Sequence, residues 1–448
     1  MHTLVCNGTV ITPSKVISEG GVLFHDGVIE AVGREKEIRA RFAGGRGGKA
    51  RLSVINAGNR IILPGFINAH HHLYSTFARG MAVPGVPAKN FIQILEKLWW
   101  KLDNELTTED VYFSALVPLL ECVRNGVTTI IDHHESQGLQ IGVLDILRQA
   151  VERTGIRAAL CLGTSDRYHK GWEGVVENAR FLGQLRRKPS RLVSGMVGLH
   201  AAFTVSDETL AASVAVAEEY GAGLHVHCAE DLSDQRDSLA KHKLRVVARL
   251  EKFAALGEKT LLVHCVHIDE REMNLIRASG SRVVHNPESN MNNAVGCADV
   301  LRMMGKGITV GLGSDGMSSD MLAQMRCAYL LQRHDQRDPR IAFCEAPAML
   351  LENNAAIAAT IFARKLGKLE AGAPADITIM DYVPPTPLVR DNFLGHLLFG
   401  MVDAAVDTVI CDGEVLLRDK KFITIDEERI CARSRELAAK FWKRIASA

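Results

Sequence analysis

Histidines and one aspartate end most of the predicted strands, which makes them the residues best placed for chemistry. Six of the eight predicted strands end in or beside a histidine, and the eighth ends in Asp315. The histidines are His70, His72, His133, His200, His227, His264 and His285. Imidazole and carboxylate groups bind divalent metals and move protons, so their pattern predicts a site for metal binding and acid–base catalysis.

Two histidine pairs have the spacing of metal ligands on a strand. Side chains at positions i and i+2 share one face of a strand, so His70 and His72 can bind one ion while His71 points away. His227 forms a similar pair with His225 on the fifth strand. We interpret His227 as the ligand and His225, one layer deeper, as its support.

Two carboxylates complete the predicted site. Asp315 ends the strand that closes against the first, so it can add one oxygen to the imidazoles in a set suited to Zn²⁺ and tolerant of Fe²⁺ or Mn²⁺. Glu230 follows His227 by three residues, where it can move protons between bound water and a substrate. A surface salt bridge is the alternative role for Glu230.

From Pro64 onward, the sequence alternates between short apolar runs and amphipathic stretches. These are the elements that must position the metal-binding and catalytic groups. Such alternation is typical of βα units and a parallel sheet. Eight strands are predicted, at residues 62–70, 127–133, 157–164, 192–200, 221–227, 260–265, 282–286 and 308–315. This count predicts an α/β protein with a TIM-like (β/α)8 barrel, in which catalytic groups lie at the carboxyl ends of the strands.

Both ends of the chain are strand-like, with β-branched runs closed by Gly, Asn or Asp. We predict that residues 1–63 and 371–448 form a composite β-sandwich with a terminal helix, and that residues 64–370 form the barrel. The Gly-rich run at 44–49 is interpreted as a turn, because it lacks the spacing and the final Ser or Thr of a phosphate loop.

Composition excludes several classes of function. The 448 residues contain 53 Lys+Arg and 52 Asp+Glu, so no basic excess favours binding to nucleic acid. No apolar run approaches the length that spans a bilayer, and the N-terminus lacks the pattern of a signal peptide. Ten cysteines occur singly with no CxxC pair, which favours reduced thiols in the cytoplasm.

A set of motifs, in this order along the chain, resembles the amidohydrolase superfamily. The motifs are LPGFINAHHH, GVTTIIDH, LHAAFT, HVHCAED, VHCVHID, HNPESN and GLGSDG. The resemblance is to the branch of cytosine-deaminase-like, guanine-deaminase-like and triazine-hydrolase-like enzymes, and EKLWWKLD and SNMNNAVG are similar to the SsnA-type aminohydrolases. It implies a barrel with a composite β-sandwich, one divalent metal and a homodimer.

By position, the resemblance also implies roles for single residues. His70, His72, His227 and Asp315 match the metal ligands, and Glu230 matches the proton-shuttling glutamate. His264 matches a histidine that polarises the attacked group or touches the metal, and His200 matches one that contacts the substrate. No lysine falls at the end of the fourth strand, so a site with one metal is expected.

These observations predict a metal-dependent aminohydrolase that removes ammonia from a small aminated heterocycle such as a purine, pterin or pyrimidine. Hydroxide formed at the metal attacks the carbon that bears the amine, with Asp315, Glu230 and His264 as catalytic groups. Two alternatives stay open. The same site could open a cyclic amide or release another leaving group, or the chain could be an inactive structural relative.

The long insert after the first strand is predicted to form a substrate lid. About fifty residues separate His72 from the second strand, and such long segments are usually lids or binding elements. Adjacent residues cannot share a helix face, so at least one of Trp99 and Trp100 is free to stack on a planar ring. Trp100 and His134 are the expected substrate contacts here.

Overall fold

The computed structural model describes residues 1–12, 14–44, 51–83 and 85–447, so the predicted Gly-rich turn lies, beyond residue 44, outside the described residues. Within this part of the chain the strands are β1 (His2–Thr12), β2 (Lys15–His25), β3 (Val28–Arg34), β4 (Leu52–Asn56), β5 (Ile61–Pro64), β6 (Phe66–His71), β7 (Val127–Asp132), β8 (Arg157–Leu160), β9 (Val193–Gly195), β10 (Val197–Ala201), β11 (Leu224–Cys228), β12 (Leu261–His264), β13 (Arg282–His285), β14 (Val310–Leu312), β15 (Ile377–Asp381), β16 (Ala405–Cys411), β17 (Glu414–Arg418) and β18 (Lys421–Phe422).

The α-helices are α1 (Glu35–Gly44), α2 (Phe91–Ile94), α3 (Trp100–Glu105), α4 (Thr108–Arg124), α5 (Val143–Thr154), α6 (Gly171–Arg187), α7 (Asp207–Tyr220), α8 (Leu232–His242), α9 (Val246–Lys252), α10 (Glu270–Ser279), α11 (Pro287–Asn292), α12 (Val300–Gly305), α13 (Met321–Gln336), α14 (Glu345–Ala348), α15 (Asn354–Phe362), α16 (Phe393–Phe399) and α17 (Glu427–Ser447). A π-helical turn, Leu95–Trp99, joins α2 to α3, and a second, Met349–Asn353, joins α14 to α15.

The barrel strands form two parallel sheets that adjoin along the ring. One sheet has the order β6-β7-β8-β9 and the other the order β10-β11-β12-β13-β14. β9 and β10 are separated only by Met196 and together correspond to the predicted fourth strand. A bridge between His71 and Asp315 brings the last strand position beside the first, and a bridge between Thr164 and Leu199 joins the two sheets. These eight strand positions confirm the predicted TIM-like α/β fold.

Several barrel strands are buried along their whole length. Every residue of β7, β11 and β12 is buried. Parallel strands covered by helices are buried on both faces, so the polar residues of these strands, such as Thr129, His225 and His227, are buried as well. Helix α10 ends at Gly280, whose left-handed φ of 73° a glycine adopts readily.

The two ends of the chain meet in one β-sheet beside the barrel. Its order is β18-β17-β16-β15-β5-β1-β2-β3, with β4 paired to β1. β5 pairs with β1 on one side and β15 on the other, so it joins the N-terminal strands to the C-terminal strands. This sheet confirms the predicted separate β unit built from both ends, whereas the predicted residue boundaries stay a prediction.

The terminal helix α17 packs against the barrel rather than standing apart from it. Trp442 Nε1 donates a hydrogen bond to Phe77 O at 2.7 Å, and the rings of Phe77 and Phe441 lie 5.7 Å apart. None of the described helices has a stretch long and apolar enough to cross a bilayer. All ten cysteines have free thiols.

A buried guanidinium links the barrel to the β-sheet. Arg157, at the start of β8, is fully buried and forms ion pairs with Asp376 and Asp412, which lie just before β15 and just after β16. Its Nη1 also donates to Thr129 Oγ1 at 3.3 Å. Because burying a charge is costly, such a group depends on its partners.

We expect Asp376→Ala to lower the free energy of unfolding by about 3–5 kcal/mol, because it removes the nearest partner of a buried cation. The double variant Arg157→Met with Asp376→Leu should lose less, since no unpaired charge stays behind. Urea unfolding followed by circular dichroism measures both. Arg340→Met, which breaks an exposed ion pair with Asp338, is the control and should change little. Equal losses in the single and double variants would contradict this account.

Candidate metal centre and active site

The carboxyl ends of three barrel strands bring the four predicted ligands to one place. His70 lies in β6 and His72 directly after it, so both side chains point to the same side of the strand. His227 lies in β11, and Asp315 follows β14 by three residues. In a closed barrel these strand ends face one another across its mouth.

The ligand atoms of this set converge. His72 Nε2 lies 3.2 Å from His227 Nε2 and 3.1 Å from Asp315 Oδ1. The ligand atoms of His70, His72 and Asp315 lie within 4.8 Å of one another, and so do those of His70, His227 and His264. The four histidines are buried and the Asp315 side chain is 14% exposed, so the structure forms a compact group of metal-binding atoms at the edge of the cavity.

The ring nitrogens that point away from this group already have hydrogen-bond partners. The partners of Nδ1 are His225 Nε2 for His70 at 2.9 Å, His133 O for His72 at 2.5 Å and His200 O for His227. His70 Nε2, in contrast, is buried with no hydrogen-bond partner. A histidine that binds a metal characteristically donates its other ring N–H in this way, so these residues fit a divalent ion.

The electrostatics of the group also suit a cation. Burial lowers the pKa of His70 and His227 well below the ordinary value, which leaves both rings neutral and able to bind metal. Burial acts in the same direction on His72, but the hydrogen bond with Asp315, the charge of Asp315 and the smaller effects of His133 and Asp132 together outweigh it and raise the pKa of His72 to about 9. A metal ion would take the place of the proton that His72 and Asp315 share.

Glu230 and His264 border the ligand set. His264 Nε2 lies 3.4 Å from Glu230 Oε2 and 3.6 Å from Asp315 Oδ2, while its Nδ1 donates to Asn290 Oδ1 at 2.8 Å. Asn293 Nδ2 donates to Glu230 Oε1 at 3.2 Å. Burial raises the pKa of Glu230 to about 6, with Asp315 adding to the rise and His264 opposing it. Such a carboxyl group can both accept and release a proton near neutral pH.

A cavity opens onto these groups, and apolar side chains together with a few convergent polar groups line it, as is typical of a site for a small molecule. Its apolar wall consists of Phe91, Leu95, Trp99, Phe203 and Met317. Its polar wall includes His200, whose Nδ1 lies 2.9 Å from Thr204 Oγ1. A planar ring could therefore pack between aromatic groups with one edge toward Glu230 and Asp315.

Two predicted substrate contacts lie outside the cavity wall. Trp100 faces a neighbouring pocket and packs under the guanidinium of Arg167 at 5.1 Å, whereas Trp99 lines the cavity. His134 is fully buried, with Nε2 3.1 Å from Ser136 Oγ. Its backbone N–H donates to Cys161 O next to β8, and its side chain is not part of the cavity lining. Trp99 therefore takes the place that the sequence analysis gave to Trp100.

Three carboxylates that line the cavity were not found by the sequence analysis, and one of them is Asp234 in α8. Asp103 reaches the cavity from α3, and Glu135 reaches it from the loop after β7. The only signal for Glu135 was its position two residues after His133, which places both on one side of an extended segment. Asp103 offered no signal, because its side chain reaches the cavity only through the fold of the insert.

Because Trp99 lines the cavity and Trp100 does not, their substitutions should have different effects on kcat/KM. Trp99→Leu is expected to lower kcat/KM by about 3- to 10-fold, since loss of an aromatic contact costs roughly 0.5–1.5 kcal/mol. Trp100→Leu and His134→Ala should stay within about twofold. Steady-state kinetics with one substrate measure kcat/KM for the three variants. Rates within twofold for all three variants would remove the insert from substrate recognition.

Comparisons with known proteins show which family and which folds the chain is similar to. The model of the amidohydrolase family matches residues 61–416. A 5-methylthioadenosine/S-adenosylhomocysteine deaminase of Syntrophomonas wolfei is 31% identical over 448 residues, which cover 98% of this chain and 99% of the relative. An adenosine deaminase from Xanthomonas campestris with bound zinc has a TM-score of 0.85 at 21% identity, covering 100% of this chain and 99% of its own. A triazine hydrolase from Arthrobacter aurescens has a TM-score of 0.81 at 22% identity, covering 98% and 99%.

Proposed function

The chain belongs to the amidohydrolase family, and from this premise we propose that it is a metal-dependent aminohydrolase that removes ammonia from the adenine ring of a nucleoside. One observation carries the proposal: Glu230 and Asp315 flank His264 beside a set of converging metal ligands, at the floor of a cavity with an aromatic wall. The relative from Syntrophomonas wolfei, which matches along the whole chain, is named for deamination of adenine nucleosides.

We propose one Zn²⁺ ion, held by His70, His72, His227 and Asp315. Three imidazoles and one carboxylate are ligands that zinc accepts readily, and Fe²⁺ or Mn²⁺ could use the same set. The adenosine deaminase of similar fold carries zinc. When bound, such an ion acts as a Lewis acid that makes water nucleophilic at neutral pH.

Side chains of the protein then carry out the proton transfers. Asp315 accepts a proton from the attacking water, and Glu230 delivers one to the ring nitrogen next to the carbon that bears the amine. His264, fixed by Asn290, orients the reacting carbon and stabilises the charge that develops there. Return of a proton to the amine lets ammonia leave, and the ring keeps an oxygen in its place.

The alternatives from the sequence are not favoured. Opening of a cyclic amide and an inactive structural role both lack support among the deaminase-named relatives.

We also propose a cytoplasmic homodimer. Ten free thiols support a reducing compartment, and the homodimer rests on the family resemblance alone.

Release of ammonia tests the proposed function directly. The zinc-loaded protein should release one ammonia per molecule of 5-methylthioadenosine, S-adenosylhomocysteine or adenosine, with the ultraviolet spectrum changing from adenine to hypoxanthine. Pterins, cytosine and aminotriazines form the comparison panel. Turnover of a member of that panel with no reaction of any adenine nucleoside would replace the proposed substrate class.

A further inference from the structure

A second group of metal-ligating side chains lies on the β-sheet formed by the chain ends, outside the barrel. His2 begins β1, His25 ends β2 and Glu30 lies in β3, so three adjacent strands each contribute one side chain. None of these residues has a role in the proposed reaction.

The register of the strands places the three side chains on one face of the sheet. His2 is directly opposite His25 in the antiparallel β1–β2 pair, and His25 is opposite Val28 in the β2–β3 pair. Residues directly opposite each other share a face, and so do positions i and i+2 of one strand, which adds Glu30 through Val28. The strand order and the pairing therefore bring the two imidazoles and the carboxylate together.

Their ligand atoms converge. His2 Nε2 lies 3.3 Å from Glu30 Oε2, and the rings of His2 and His25 stack with their centroids 4.3 Å apart. One nitrogen of each histidine and one oxygen of Glu30 all lie within 4.8 Å of one another. Bonds of about 2.0–2.2 Å to a Zn²⁺ ion place neighbouring ligand atoms roughly 3–4 Å apart, so small rotations of these side chains complete a site.

Neighbouring groups orient both rings. Asp26 Oδ2 lies 3.6 Å from His25 Nδ1, which leaves Nε2 of His25 as the nitrogen for an ion. A histidine that binds a metal characteristically turns its other ring nitrogen to a carboxylate in this way. The ring of Phe42 lies edge-on to His2 at 5.2 Å and limits the positions that the imidazole can take.

The group is open to solvent, in contrast to the catalytic centre. The side chains of His25 and Glu30 are 37% and 44% exposed, and that of His2 is 19% exposed. An ion can enter directly and keep water in its remaining positions. With three protein ligands rather than four, we expect it to bind more weakly than the ion at the barrel mouth.

We propose that His2, His25 and Glu30 form a second metal site, which takes a divalent transition-metal ion and ties β1, β2 and β3 together. Two imidazoles and one carboxylate suit Zn²⁺, Cu²⁺ or Ni²⁺, whereas Mg²⁺ and Ca²⁺ prefer oxygen ligands. The site goes beyond the proposed function and does not depend on it, so no assay of ammonia release enters its test.

The test counts bound ions, with Zn²⁺ as the probe and tag-free protein whose catalytic centre is already loaded. Equilibrium dialysis against excess Zn²⁺ should give about two ions per chain in the wild type, one more than after dialysis against a weak chelator. His25→Gln should lose the additional ion and keep the other. His242→Gln is the matched control, because it removes another histidine that faces a carboxylate, Asp207 at 3.2 Å, and it should bind as the wild type does.

Cu²⁺ identifies the ligands of the additional ion. Added to the zinc-loaded wild type, it should give an electron paramagnetic resonance spectrum with hyperfine structure from imidazole nitrogens, since imidazole is a preferred ligand of Cu²⁺. The same addition to His25→Gln should lose this structure or leave the copper unbound.

Each outcome decides the proposal. A wild type that binds no ion beyond its catalytic one overturns it, and this result needs no variant to fold. An additional ion that His25→Gln retains, or bound Cu²⁺ without imidazole nitrogen, also overturns it and leaves the contact between His2 and Glu30 as an exposed ion pair. If the catalytic centre itself holds no metal, both totals fall by one, and the difference between wild type and His25→Gln still decides.

Discussion

Glu230→Gln is expected to lower kcat by about 10²–10⁴-fold, the usual contribution of a general acid–base group. Glutamine keeps the shape and can still contact Asn293, but it cannot carry a proton to the ring nitrogen. The loss should appear in kcat more than in KM, because the transfer belongs to the reaction and not to binding. Steady-state kinetics with an adenine nucleoside, together with elemental analysis of the variant, provide the measurement.

The metal content separates this role from a structural one. Glu230→Gln should retain the wild-type amount of metal and the same circular dichroism spectrum, since none of the four proposed ligands is changed. Glu251→Gln, on the surface of α9, is the matched control and should have normal rates. Near-normal rates for Glu230→Gln would move the proton transfer to another group, with His264 the nearest, at 3.4 Å.

The barrel and the convergence of its histidines could be predicted because both follow from short-range rules. The i and i+2 rule places His70 and His72 on one side of β6, and parallel strands carry their functional groups at the carboxyl ends. Asp315 required one further step, the closure of the last strand against the first. These rules concern backbone geometry, so they do not depend on how side chains pack.

The wall of the cavity could not be predicted because it depends on irregular segments. The π-helical turn Leu95–Trp99 adds a residue to one helical turn, so a regular helix assigns the wrong faces to Trp99 and Trp100. Other irregularities lie beside the metal ligands. His264 and Asp315 have left-handed φ values of 72° and 55°, a conformation that costs about 1–3 kcal/mol and that no sequence rule anticipates for these residues.

His72→Ala is expected to abolish tight metal binding, because His72 Nε2 lies at the centre of the ligand set, near both His227 and Asp315. A site with only a few protein ligands does not hold its ion when one is lost. Wild-type protein should contain about one zinc per chain after dialysis, and the variant almost none, by elemental analysis. Activity should fall with the metal.

His71→Ala provides the sharpest control, since it removes the same side chain from the adjacent position. His71 points away from the ligand set, with Nε2 3.2 Å from Ser319 Oγ, so this variant should keep its zinc. The unfolding temperature gives a second measurement that does not depend on activity, because an ion that binds only the folded state raises it. A chelator should therefore lower that temperature in the wild type and in His71→Ala but not in His72→Ala. Full zinc in His72→Ala, or loss of zinc in His71→Ala alone, would mean that the ion is held by a different set of residues.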